Sequence, residues 1–430
     1  ALQTCVFALD GEEITLSKVN GLAAQNVTST AFSLRWDPVD GADSYKVYEK
    51  FGESFNCIAT TPNTTVALKS KKPGTTYCYY VDAVRAGVAV KDTSSDPLTV
   101  RTLPQDGKLK KVSFKKNTAT VTWRAGTGAT GYTVYSYNAS AKAYKQLKSV
   151  DKTSYTFKYK AGKKYTLLIR SFCKLDGTTV YSAKGVKVVF TAPKALPTSK
   201  KAAAKLYNSA VNNLKENRGK FKIENSTQIN HKIKKFKGGE DAEFLLDLWS
   251  KTFDIFSEEF TSNYTVKNGK VYVEDYRVGK LNKVITPANK KAALSSKYID
   301  KYSASVLSNG NVKLKITLKK DQTTLNGKKE KLAPGISKVY DPVSFKNFNL
   351  KDTVRFDSGT ITYSKSTLTV IVRPDGKPVS IKINLPWTVS AKFTVFGEYI
   401  NAVNDTKNAK DDKASFKASG KSYIGYDIYY

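Results

Sequence analysis

The sequence predicts two all-β sandwiches in tandem, followed by an α+β domain in which a long antiparallel sheet packs on two or three helices. Three observations carry this reading. A set of aromatic landmarks recurs once at a nearly fixed offset, apolar and polar residues alternate with period two through both copies, and helical apolar stripes begin only near residue 200. At 430 residues the chain is also long enough for about three domains, each with its own core.

Taken in order, residues 1–16 contain the run CVFALDGEEITL and read as an extended N-terminal segment. Residues 17–103 and 104–192 form the repeat: Trp36 aligns with Trp123, Tyr45 with Tyr132 and Tyr77 with Tyr165, at offsets of 87, 87 and 88. The stretches AFSLRW and TATVTW alternate as half-buried strands do, and VDGAD, KPGTT and KAGKK are turn signals between strands. In the second copy the alternation sends Ala119, Val121, Trp123, Tyr155, Phe157 and Tyr159 inward. The basic side chains between them then face outward.

These landmarks are specific. A tryptophan closes the second strand, Gly-Ala-x-x-Tyr-x-Val-Tyr forms the third (from Gly41 and again from Gly128), and Pro/Ala-Gly-x-x-Tyr enters the sixth. Over residues 17–192 the chain resembles fibronectin type III modules of secreted and surface proteins of Gram-positive bacteria. The resemblance implies a sandwich fold, a role in spacing, binding or adhesion, and a secreted or cell-surface location. It makes the tryptophans and tyrosines core anchors. The chain holds no methionine, so a segment removed ahead of Ala1, such as a secretion signal, is expected.

Residues 193–202 read as a Pro-, Ser- and Lys-rich linker, and residues 203–430 as the α+β domain. Ser199 suits a helix cap, after which Ala203, Leu206, Tyr207, Ala210 and Leu214 recur at helical spacing. Leu245, Trp249, Phe253, Phe256 and Phe260 form a second and wider stripe behind an acidic start. Three segments, 264–273, 308–318 and 368–387, each hold Asn-Gly or Asp-Gly between alternating runs and read as hairpins. In the second of them Val312, Leu314, Ile316 and Leu318 share one face, and Lys313, Lys315 and Lys319 the other. The sheet is expected to have one dry face and one lysine-covered wet face. The C-terminal SYIGYDIYY reads as a last aromatic strand. In element order this half resembles the curved sheets wrapped around a helix in bacterial lipoprotein carriers, and equally the uncharacterised α+β domains that follow fibronectin modules in gut Clostridia.

The net charge of +34 sets in at the second repeat: residues 1–103 carry −1, residues 104–197 carry +16 and the remainder +19. Only nine of the 71 basic residues are arginine, which favours diffuse attraction over bidentate readout of bases. The expected partner is an anionic cell-wall or extracellular polymer, with no specific nucleic-acid readout. Lys115, Lys116, Arg124, Lys158 and Lys160 are the candidate contacts, placed by alternation on one outer surface of the second repeat. The alternative is a carrier of a lipid or other apolar ligand, held against Leu245, Trp249, Phe253, Phe256 and Phe260, or an accessory module of a larger carbohydrate-active system. An apolar cavity under the sheet would favour the carrier, and a filled core with a continuous lysine face the polymer.

Catalysis is not expected. His231 is the only histidine, which excludes a two-histidine metal site and leaves one imidazole for any nucleophile. The paired acids Glu12/Glu13, Glu240/Asp241 and Glu258/Glu259 are sequence neighbours and read as solvated or helix-terminal charges. No phosphate loop or calcium loop is present, so neither a metal nor a cofactor is implied. No apolar run reaches the ~18 residues of a membrane span. Of the four cysteines, Cys57 and Cys78 could form a disulfide in the first repeat, although an intervening strand is expected between them; Cys5 is left open.

Overall fold

Period-two alternation becomes paired strands through most of the chain, and the computed structural model describes residues 15–255, 260–404 and 409–430. Backbone contacts divide it into two units. One runs from the start of the described chain to Ser113 and takes in Ala119–Lys158 and Lys164–Phe190; the other holds Phe114–Thr118, Tyr159–Lys163 and Thr191–Tyr430.

The first unit begins with β1 (Ala23–Gln25), β2 (Phe32–Arg35), β3 (Ser44–Phe51), β4 (Ser54–Thr61), β5 (Thr65–Leu68), β6 (Thr76–Arg85), β7 (Val88–Ala89) and β8 (Leu98–Arg101). They form a three-stranded sheet, β1-β2-β5, and a five-stranded one, β4-β3-β6 with β7 and β8 both on β6. The repeat supplies the same set again: β9 (Lys108–Lys115), β10 (Thr118–Arg124), β11 (Gly131–Asn138), β12 (Ala143–Val150), β13 (Ser154–Lys158), β14 (Lys164–Leu175), β15 (Thr178–Tyr181) and β16 (Val186–Thr191). Its sheets are β9-β10-β13 and β12-β11-β14 with β15 and β16 on β14. Every strand has its counterpart.

The cores match as well. Trp36 meets the Tyr45 ring edge-on at 5.4 Å and 65°, and Trp123 meets Tyr132 at 5.2 Å and 72°. Both indole N–H groups are buried without an acceptor, an unusual cost that is repeated in both copies. The sandwiches are joined at Asp176, which accepts from Thr76 Oγ1 at 2.9 Å and lies 3.4 Å from Arg101 Nε. Tyr155 and Phe157 pack on the second core as the alternation requires. Tyr159 departs from it: its hydroxyl donates to the Lys116 carbonyl and its ring meets Phe114 edge-on at 5.7 Å. Cys57 on β4 and Cys78 on β6 are free thiols, because β3 lies between their strands. Cys5 lies outside the described residues.

In the second unit Ser199 caps α1 (Lys200–Glu216), its hydroxyl accepting from the Ala202 N–H at 3.1 Å. There follow β17 (Phe221–Lys237), α2 (Glu240–Ile255), β18 (Phe260–Lys267), β19 (Lys270–Val273), β20 (Tyr276–Lys280), the one-turn α3 (Leu281–Val284), β21 (Ile299–Val306), β22 (Val312–Leu318), β23 (Asp321–Asn326) and β24 (Lys329–Lys331). The chain closes with β25 (Val354–Tyr363), β26 (Thr367–Val372), β27 (Pro378–Val395), α4 (Gly397–Asn404) and β28 (Asp412–Tyr429). Twelve strands make one antiparallel sheet in the order β20-β19-β18-β17-β28-β27-β25-β23-β24. It forks at the 18-residue β27, whose first half pairs with β26 and so carries β22 and β21, while its second half pairs with β25.

Helices cover the dry face. α1 contacts β21, β22, β26 and β27, and its small residues Ala203, Ala204 and Ala210 let it sit close on them. α2 contacts β17, β28 and β27. The expected hairpins form, and Val312, Leu314, Ile316 and Leu318 are all buried while Lys313, Lys315 and Lys319 are exposed. The second apolar stripe does not stay on one helix. Phe260 is the first residue of β18, Phe256 lies outside the described residues, and Trp249 and Phe253 belong to α2. The aromatic C-terminal strand, β28, lies in the middle of the sheet, between β17 and β27.

Candidate functional site

Beneath α2 the dry face encloses a cavity of about 140 Å³. Its floor is set by cross-strand register. His231 on β17, Gly420 on β28 and Trp387 on β27 lie in one row, and Ile233, Ala418 and Val389 in the next. Ile361 and Tyr363 extend the floor on β25. Leu246 of α2 and the segment Val343–Phe348 supply the opposite wall.

Two glycines make room for the aromatic walls. A Cβ on Gly420 would come within 2.3 Å of the Trp387 ring, and one on Gly359 within 2.5 Å of the Phe345 ring. Each ring therefore lies directly across a neighbouring strand, a close approach that any side chain would block. Glu330 fixes the turn that delivers Phe345, accepting from the Phe345 N–H and from Ser344 Oγ, both at 2.6 Å.

Two polar groups of the walls are engaged with neighbouring wall residues. Trp387 Nε1 donates to Ser422 Oγ at 3.2 Å, and the Tyr363 hydroxyl accepts from the Val343 N–H at 3.2 Å. Burial pushes the Tyr363 phenol up to about 12, so it stays neutral. His231 lines the cavity as its one titratable imidazole. Val343, 39% exposed, lines the same space. The arrangement suits contact with an apolar group.

The residues expected from the sequence fall in different places. Leu245 is buried in the core, and its neighbour Leu246 lines the cavity instead. The side chains of Trp249, Phe253 and Phe260, and all of Phe256, lie outside what is described. All five basic candidates of the second repeat are exposed. Lys115, Lys116 and Lys160 belong to one unit, Arg124 and Lys158 to the other, and Arg124 ends β10 at the opposite end from the Lys115–Lys116 turn. Glu240 and Asp241 form the first turn of α2, where acidic residues suit the helix dipole. Glu12, Glu13, Glu258 and Glu259 lie outside the described residues. Among the described residues no cluster of side chains could hold a metal, and no helix is long and apolar enough to cross a membrane.

Sequence reasoning missed Trp387, Gly420, Gly359 and Phe345. Trp387 was visible as a tryptophan at the end of an alternating run, but its glycine partner lies 33 residues away and only strand register brings them together.

No protein-family model matches the chain, and none of the curated proteins does. Among solved structures, a two-domain fibronectin type III segment from chicken tenascin is 23% identical and covers 41% of this chain and all of its own, with a TM-score of 0.30. A structure titled FN3tt is 21% identical over 21% of this chain and 98% of its own (TM-score 0.18). The sixth fibronectin type III domain of human fibronectin type III domain containing protein 3 is 16% identical over 24% of this chain and 98% of its own (TM-score 0.21).

Proposed function

We propose that this chain is a non-enzymatic binding protein whose C-terminal unit carries a small apolar group, with two fibronectin type III modules as its spacer. The observation that supports the reading is the cavity under α2, walled mainly by aromatic and aliphatic side chains, with Trp387 and Tyr363 already hydrogen-bonded to neighbouring wall residues. An apolar space of about 150 Å³ stays dry and takes a molecule the size of benzene. A cavity of about 140 Å³ therefore admits one aromatic ring or the end of an acyl chain, and a whole lipid would have to extend beyond it. Transfer of that group out of water is the driving force, at roughly 25 cal/mol per Å² of apolar surface buried.

The test uses toluene as the probe on the intact chain. Saturating toluene should raise the melting temperature of the C-terminal unit by a few degrees, because it binds only the folded state. Ala418→Leu, which grows a side chain into the floor, should abolish that rise while leaving the unliganded protein folded. Absence of any toluene-dependent rise in the wild type, together with an unperturbed xenon NMR signal, would overturn the proposal.

A further inference from the structure

The opposite face of the same strands carries a different pattern. His231, Ile233, Trp387, Val389 and Ala418 line the cavity, so the residues between them point away from it. On β28 these are Lys413, Ser415, Lys417, Ser419 and Lys421, a strict alternation of lysine and serine that sets an ammonium about every 13 Å along the strand. The flanking strands continue it. Lys235 of β17 is directly opposite Lys417, and Ser390 of β27 lies on its other side; in the next row Lys237, Ser415 and Lys392 follow one another. Beyond them β25 adds Ser358, Thr360 and Thr362 in register.

Lysines directly opposite on neighbouring strands repel each other. Among the described residues Lys235, Lys237, Lys392, Lys413, Lys417 and Lys421 form no ion pair, and all are exposed. Among the described residues the acids on this face are occupied or distant. Asp357 is taken by Arg355 and Thr394, and Asp427 and Glu224 lie in a row near the far end of the strands. A like-charged row kept against its own repulsion is a local conflict of the kind that marks a binding surface.

We infer that this face binds a linear acidic polysaccharide. Its carboxylates or sulfates would meet the lysine rows, and its neutral hydroxyls the serine and threonine rows between them. Nucleic acid fits less well, because the rows Lys235–Lys417–Ser390 and Lys237–Ser415–Lys392 carry no aromatic ring for a base to stack on and no arginine, and Arg355 on the same face is held by Asp357. The inference is independent of the cavity, on the other side of the sheet.

The experiment applies the full chain to immobilised heparin and compares two variants that each lose three charges. The triple variant Lys235→Ser, Lys392→Ser, Lys417→Ser should elute at clearly lower salt and bind free heparin at least tenfold more weakly, with a shallower salt dependence. Lys115→Ser, Lys158→Ser, Lys160→Ser should elute like the wild type. The first variant should melt at the wild-type temperature or higher, since it removes the Lys235–Lys417 repulsion, and this separates a lost site from a lost fold. Equal loss of retention in both variants would reduce the effect to net charge and overturn the inference. So would displacement from heparin by an oligo-dA strand or by phosphatidylglycerol vesicles at a charge concentration at which polygalacturonate fails.

Discussion

Glu49 is a carboxylate that is only 4% exposed in the first sandwich, and it is kept there by specific partners. Lys71 Nζ lies 2.5 Å from its Oε2, the Tyr79 hydroxyl donates to the same oxygen at 3.1 Å, and the ammonium sits over the Tyr77 and Tyr79 rings at 4.8 and 5.4 Å. Removing one partner of such a pair leaves an uncompensated buried charge. Lys71→Met should therefore destabilise the first unit by ~3–5 kcal/mol, and adding Glu49→Leu should recover most of it in a denaturant-melt double-mutant cycle. Lys215, 6% exposed in the second unit, is the opposite case. It donates to the carbonyls of Pro287 and Lys290, yet burial pushes its ammonium from an ordinary 10.5 down to about 8. A depressed amine means that the unfolded chain binds more protons between those values, so stability rises with pH there. From about pH 8 to 9.5, before tyrosines begin to ionise, the second unit should gain stability. Lys215→Met should flatten that slope in melts run across the window.

Among the elements, β28 is held to both neighbours through almost its whole length, and its inner face is pared down to admit aromatic rings from β27. Gly420→Val should displace Trp387, break its bond to Ser422 and lower stability by ~1–3 kcal/mol, the cost of overpacking. It should also abolish the toluene response, read by the same thermal shift. α1 depends less on any single contact. Ser199→Ala removes one cap bond and should cost ~1 kcal/mol, which equilibrium denaturation can detect. The sandwiches depend on their tryptophans: Trp36→Ala and Trp123→Ala should each cost ~3–5 kcal/mol, because each empties a site that is 3% and 2% exposed respectively.

For the whole molecule, two units with separate cores predict two calorimetric transitions. Trp36→Ala should lower one of them and Lys215→Met should change the pH dependence of the other alone. A single transition shifted by both variants would show that the units unfold together. Much at this scale was legible in the residues alone. They established the repeat, the buried tryptophans, the two capped or acid-led helix starts, and the hairpins with their dry and lysine-covered faces. All of these are local, since alternation and turn chemistry report which face of a strand is buried within ten residues or so. Tertiary structure decided what lies across from each strand. It put β28 between β17 and β27, set Gly420 under Trp387, aligned Lys235 with Lys417, kept Cys57 from Cys78, and started a strand at Phe260 where the apolar stripe suggested more helix. Periodicity carries no address for a partner more than a hundred residues away. A cavity and a charged face made from four strands therefore exist only once long-range register has been set, by closure of the sheet around its helices.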